Sequence, residues 1–103
     1  MTQRTAFVLH VRPDKLEEYI RGHEQVWPEM LDALRSAGIR NYTIFREGNQ
    51  MFGYFEADDL AAAERYLAGQ DVSTRWQDAM AEFLERRVPD GGPPALEQVF
   101  RLD

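Results

Sequence analysis

Two histidines, His10 and His23, are the side chains in this 103-residue sequence whose unperturbed pKa, about 6.5, places proton transfer near neutrality. His23 carries the stronger pattern. Tyr19, His23 and Trp27 follow one another at spacings of four. On a helix Tyr19 and His23 therefore share one face, with Cβ atoms about 6 Å apart, while Pro28 leaves the alignment of Trp27 open. A proton donor or acceptor beside flat aromatic surfaces and hydroxyls suits acid–base chemistry on a neutral, sugar-like ligand. The competing reading is structural: the same stripe is the buried face of an amphipathic helix, and a single titratable side chain is a weak sign of a site. Tyr42, at the start of a strand, and Trp76, on a later helix, reach the same space if the fold brings them together.

Other candidates carry less. His10 falls between Leu9 and Val11 in an apolar strand and reads as a hydrogen-bonded sheet histidine. Glu17 and Glu18 are adjacent on a helix, point in different directions, and read as solvated. Asp14, Asp58, Asp59 and Asp71 stand where helix caps belong. Trp76, Met80 and Phe83 form a helical stripe whose default role is core. The Gly91–Gly92 pair lacks the strand–glycine–helix setting of a phosphate loop.

The sequence holds no cysteine, which excludes disulfides, thiolate catalysis and cysteine-ligated metal, and two histidines argue against a multi-histidine metal site. The formal charge of −6 opposes binding to nucleic acid or to an anionic membrane surface. The first ten residues contain no apolar run of signal-peptide length and no stretch is long enough to span a bilayer, so a cytoplasmic location is expected.

The elements that must position these residues follow from periodicity. Thr5–Val11 alternates as a strand, with Phe7, Leu9 and Val11 on one face. Arg12-Pro13-Asp14 opens a helix from about Asp14 to Val26, and Pro28 forces a kink or restart before a second segment to Ala37, closed by Gly38. Asn41–Arg46 and Met51–Ala57 are two strands joined by Glu47-Gly48-Asn49-Gln50, where the glycine and asparagine supply positive φ. A helix over Leu60–Leu67 stops at Gly69, and another runs from Asp71 through Trp76 to about Arg86. Val88–Pro94 is a stiff loop, and Leu96–Leu102 is a last strand. The order predicts a single α+β domain, residues 1–103, of ferredoxin-like architecture: a four-stranded antiparallel sheet with helices on one face. Large apolar residues on both sheet faces, among them Phe7, Val8, Tyr42, Phe45, Tyr54 and Phe55, predict a homodimer packed sheet against sheet, a dimeric α+β barrel.

The stretch Tyr19-Ile-Arg-Gly-His23-Glu-Gln-Val-Trp27-Pro28-Glu29 resembles the signature of the L-rhamnose mutarotase family. So do Asn41-Tyr42-Thr-Ile, Asp71-Val-Ser-Thr-Arg-Trp76 and Leu96-Glu-Gln-Val-Phe100, in order along the chain. The resemblance implies a dimeric ferredoxin-like fold and anomer interconversion of a monosaccharide without cofactor or metal. It implies His23 as proton donor, with Tyr19, Tyr42 and Trp76 binding the sugar. Gln77 departs from the pattern, standing where the family often has a second tryptophan. It exchanges an aromatic surface for an amide and points to L-rhamnose held differently or to a related sugar such as L-fucose. Mutarotation needs an acid at the ring oxygen and a base at the anomeric hydroxyl; protonated His23 fits the acid, and water or a tyrosine hydroxyl fits the base. Two alternatives stand beside this reading: a cofactor-less or haem-degrading monooxygenase of the dimeric α+β barrel type, and a non-enzymatic ligand-sensing dimerisation module.

Overall fold

The structure, a computed structural model, describes residues 1–88 and 92–103. Its elements run β1 (Gln3–His10), a 3₁₀ turn (Pro13–Lys15), α1 (Leu16–Glu24), α2 (Pro28–Ser36), β2 (Arg40–Glu47), β3 (Gln50–Ala57), α3 (Leu60–Ala68) and α4 (Asp71–Ala81). The three strands form one antiparallel sheet in the order β1-β3-β2. The fold is α+β. The break read at Pro28 is present: α1 stops at Glu24, and α2 restarts with Pro28 in its first turn, where the missing N–H costs no hydrogen bond.

The expected fourth strand does not form. Leu96 donates its N–H to Ala6 O at 2.7 Å, on the free edge of β1, where a ferredoxin-like fourth strand would lie. Beyond that single bond, residues 96–102 build no ladder. Val99, Phe100 and Leu102 are 86 %, 79 % and 84 % exposed, so within one chain nothing covers the side chains that would hold a strand there.

Smaller corrections follow local chemistry. Of the expected caps, Asp59 acts as one: its Oδ1 accepts from Ala62 N at 3.1 Å. Asp58 pairs with Arg40 instead. Asp14 and Asp71 lie inside their elements; the cap positions are Arg12 and Gln70, neither of which makes a side-chain cap bond. The Asp71 carboxylate accepts from Arg75 Nε at 2.8 Å, one helical turn on. α4 ends at Ala81 rather than near Arg86, because the chain turns to meet the end of β1: Arg12 N–H donates to Phe83 O and Glu85 N–H to His10 O. In the β2–β3 turn Gly48 alone takes positive φ, at 59°, the pattern of a type II′ hairpin. His10 ends β1, exposed, against Gln50. Of the loop expected over 88–94, residues 89–91, with Gly91, lie outside the described residues.

Sequence alternation places Phe7, Val11, Met51, Gly53 and Ala57 on the helix side of the sheet, where all five are buried. Tyr19, Met30, Ala33, Val72, Trp76 and Met80 come down on them from α1, α2 and α4. The opposite face carries Phe45 and Phe52, 69 % and 39 % exposed. On the core side Phe7 lies directly across from Gly53, and its ring occupies the space a side chain there would need. Phe7 is itself wedged against Tyr42 and Phe55. Gly53→Ala therefore has no cheap accommodation. It should cost at least about 1–3 kcal/mol, the usual penalty of overpacking, read as a lowered midpoint in urea. An unchanged midpoint would mean that the Phe7 ring is free to move aside.

Candidate active site

Tyr42, two residues before Ile44, shares its face on the helix side of the sheet, beside a defect in β2. Arg40 pairs with Glu56 and Ile44 with Gly53. Glu56 and Gly53 are three residues apart on β3 and so face opposite ways, whereas Arg40 and Ile44, four apart, would share a face in a regular strand. A bulge between Arg40 and Thr43 resolves the mismatch. Asn41 sits in it with φ 52°, the left-handed region that asparagine tolerates better than most residues. Its Nδ2 donates to Glu56 Oε1 at 2.7 Å. Bulges re-aim side chains; this one turns Arg40 outward while Tyr42 stays inward with Ile44, its ring stacked on Phe55 at 5.0 Å and edge-on to Phe7 at 6.2 Å.

Above this aromatic floor, α1 presents Tyr19 and His23, their rings 4.3 Å apart. The His23 Nδ1 lies 3.0 Å from the backbone oxygen of Tyr19. A carbonyl only accepts, so Nδ1 carries the proton and Nε2 is the nitrogen left for other partners. From α4, Trp76 meets His23 edge-on at 5.4 Å. Trp27, although off the α1 stripe, packs perpendicular to Trp76 at 5.1 Å and so buttresses it from behind.

These groups surround a cavity of about 730 Å³ and an adjoining recess of about 60 Å³. His23, Tyr42, Trp76 and Gln77 line both spaces, and Tyr19 lines the recess. All five residues singled out from the sequence are thus brought together. The sequence reasoning missed Thr5, Glu64, Ser73 and the segment from Gly92 to Ala95, which complete the cavity wall. Ser73 was within reach of a pattern argument, standing three and four residues before Trp76 and Gln77 on the same helix face. Glu64 and the Gly92–Ala95 segment depend on tertiary placement and leave no local signal.

The electrostatics favour neutral groups. Burial lowers the His23 pKa below its ordinary value and outweighs the opposing hydrogen bond to the Tyr19 carbonyl. Burial pushes the Tyr19 phenol up to about 12. The Tyr42 phenol is raised as well, first by desolvation and then by the neighbouring Tyr19. At neutral pH the site therefore offers two protonated phenols, an uncharged imidazole, an amide and an indole face. Among the described residues no three His, Cys, Asp or Glu side chains gather as metal ligands would.

A family model described as L-rhamnose mutarotase matches residues 4–102. A protein named L-rhamnose mutarotase from Pectobacterium atrosepticum is 39 % identical over 104 residues, covering 97 % of this chain and 98 % of its own. Among solved structures, an L-rhamnose mutarotase from Formosa agariphila superposes with a TM-score of 0.76 at 29 % identity, covering 98 % of this chain and 99 % of that one. The tetracenomycin F2 cyclase of Streptomyces glaucescens, at 17 % identity and TM-score 0.69 over 98 % and 97 % of the two chains, shares the fold alone.

The bulge is testable apart from any reaction. Asn41→Ala puts an ordinary side chain at positive φ, at about 1–2 kcal/mol, and also removes the bond to Glu56. Asn41→Gly removes the bond while relieving the backbone, and should cost less. Urea denaturation of the pair separates the two contributions, and equal midpoints would mean that backbone strain plays no part.

Proposed function

The chain belongs to the L-rhamnose mutarotase family, and from that premise we propose that it interconverts the α and β anomers of L-rhamnose, or of a related 6-deoxy-hexose such as L-fucose, with His23 as the general acid. The observation that carries the assignment to these residues is the His23 ring itself. One nitrogen is committed to the Tyr19 carbonyl at 3.0 Å, and the ring lines the cavity beside Tyr42, Trp76 and Gln77.

Mutarotation opens the pyranose, turns the aldehyde about the C1–C2 bond and closes the ring on its other face. His23 delivers the proton that the ring oxygen needs as the C1–O5 bond breaks. The Tyr19 and Tyr42 phenols, protonated well above neutral pH, orient sugar hydroxyls by hydrogen bonds. Trp76 covers an apolar sugar face and the C6 methyl group. Gln77 contributes an amide donor and acceptor where an indole would offer only surface, so it bears on which sugar is held best.

A homodimer is part of the same reading. The sheet face opposite the helices presents Phe45, 69 % exposed, and Phe52, 39 % exposed, and the arm carrying Val99, Phe100 and Leu102 projects uncovered. Apolar surface of this kind is characteristic of a contact with a second copy. Sedimentation should give twice the 12.0 kDa of one chain, and Phe45→Glu should shift the population towards monomer; a monodisperse monomer in the unaltered protein overturns the dimer. No nucleic-acid or membrane partner is proposed, in keeping with the charge of −6. Among the described residues no helix is long and apolar enough to cross a membrane. A cytoplasmic location is the reading that goes with a small-sugar isomerase.

Saturation-transfer proton NMR between the anomeric signals of L-rhamnose, repeated on L-fucose, tests the reaction directly. Enzyme should accelerate exchange of at least one of the two. His23→Ala should lower the rate by about 10²–10⁴-fold, the usual contribution of a positioned acid or base, with an unchanged circular dichroism spectrum. Full activity in that variant sinks the role of His23.

A further inference from the structure

Ring opening moves one proton from the anomeric hydroxyl O1 to the ring oxygen O5, and the reaction needs a base for the first atom as well as an acid for the second. Resting on the mutarotase reading above, we propose that His23 Nε2 is both: it takes the proton from O1 and returns the same proton to O5, so that the base is the unprotonated nitrogen of the residue that later acts as acid.

The geometry fixes the starting state. Nδ1 of His23 can only donate to Tyr19 O, which places the ring proton on Nδ1 and leaves the Nε2 lone pair unoccupied. The ring is held in that orientation by Tyr19 on one side, 4.3 Å away, and by the edge of Trp76 at 5.4 Å. A histidine in this tautomer begins a cycle by accepting a proton at Nε2. O1 and O5 are bonded to the same carbon, so one nitrogen beside C1 serves both without a change of rotamer.

The step balances. The O1–H bond breaks towards Nε2, and its electron pair becomes the second bond of the C1=O1 carbonyl. The C1–O5 pair leaves onto O5, which takes the proton from Nε2 and leaves imidazole neutral again. After rotation about C1–C2 the same steps in reverse, with Nε2 taking the O5 proton and returning it to O1, close the other anomer. No proton is gained or lost, and no co-reactant is needed.

The other groups facing His23 do not offer a better base. Tyr19 on its own helix and Tyr42 on β2 are both raised by burial and stay protonated near neutrality. Ser73, Trp76 and Gln77 on α4 do not titrate, and β1 and α2 contribute Thr5, Phe7 and Met30. Glu64, an exposed residue on the α3 wall, is the one carboxylate among the described residues lining the cavity. Burial, which lowers the His23 pKa, favours the neutral ring that the shuttle requires at rest.

The test is the pH dependence of enzyme-catalysed anomer exchange between pH 4.5 and 9, after subtraction of the enzyme-free rate. Neutral His23 as the resting form predicts activity that rises from acid pH through a single ionisation below the ordinary histidine value and then stays level to pH 9. Glu64→Gln should leave that limb in place. Long-range ¹⁵N–¹H spectra of the sugar-free enzyme should show the Nδ1–H tautomer, a readout independent of turnover. A rate that falls as pH rises through neutrality, as a resting imidazolium acid requires, overturns the shuttle. So does a limb lost in Glu64→Gln, or a resting Nε2–H tautomer. The two readings fail differently: no exchange at any pH removes the mutarotase reading and the shuttle with it, whereas exchange with the wrong limb removes the shuttle alone.

Discussion

Two residues of β2, Asn41 and Tyr42, stand against one of β3, Phe55, between the Arg40–Glu56 and Thr43–Tyr54 pairs, and this bulge lets Tyr42 and Ile44 face the core while Arg40 stays on the other face. Because strand side chains alternate, one inserted residue reverses every residue on one side of the insertion. Ile44 thereby packs into the core and Arg40 stays outside, where it meets Asp58 and Thr2. Tyr42 closes the floor of the cavity with Phe7 and Phe55. A regular strand in the hairpin register would carry Tyr42 inward as well, but would bring Arg40 in with it. The cost is a non-glycine residue at positive φ, and asparagine at that position is the choice that both tolerates the conformation and bonds across to Glu56. Gly53 is the complement of this arrangement: by having no side chain it lets the Phe7 ring lie flat on β3 and bring the three aromatics together.

The roof of the cavity depends on a second interruption. Pro28 prevents α1 and α2 from being one helix, and the three residues between them allow Trp27 to swing out of the α1 stripe and against Trp76. His23 falls in the last turn of α1, where the ring can reach back to the carbonyl one turn earlier. Its tautomer is thus a consequence of helix geometry, set without any other side chain. The packing around it is aromatic rather than ionic, which keeps the ring neutral and its second nitrogen available.

Much of this was legible in the sequence. The spacing of Tyr19 and His23 fixed their common face, Pro28 marked the break, and alternation along β1 and β3 separated core from open face. The convergence of Tyr42, Trp76 and Gln77 on His23 was an inference from the fold class and agrees with their placement. The rest was not legible for identifiable reasons. The bulge at Asn41 has no composition signal, since asparagine at a strand start reads equally well as a turn. The early end of α4 reflects competition from the backbone groups of His10 and Arg12, which are distant in sequence. The strand expected over Leu96–Leu102 has the right apolar content, but a strand is defined by its partner, and periodicity cannot supply one. Asp71 illustrates the same limit at short range: cap position and first helical position differ by one residue, and Arg75 one turn later captured the carboxylate.

The two faces of the sheet are not independent. Glu56, which accepts from the Asn41 side chain, lies on the open face opposite the cavity, and there it also accepts from the Tyr54 hydroxyl, which Arg4 meets in turn. These bonds hold the Glu56 carboxyl below its usual pKa, the Tyr54 bond first and the Asn41 bond second. In a single chain the cluster is wet, and a hydrogen bond in water has a modest net value. A second copy laid sheet to sheet on Phe45 and Phe52 would exclude that water and strengthen each bond in the cluster. Because the Asn41–Glu56 bond ties the bulge to β3, assembly on the outer face would stiffen the strand segment that carries Tyr42 on the inner one. A monomerised variant would then loosen the cavity floor beside Tyr42 through Asn41, without any change in a residue that lines the cavity.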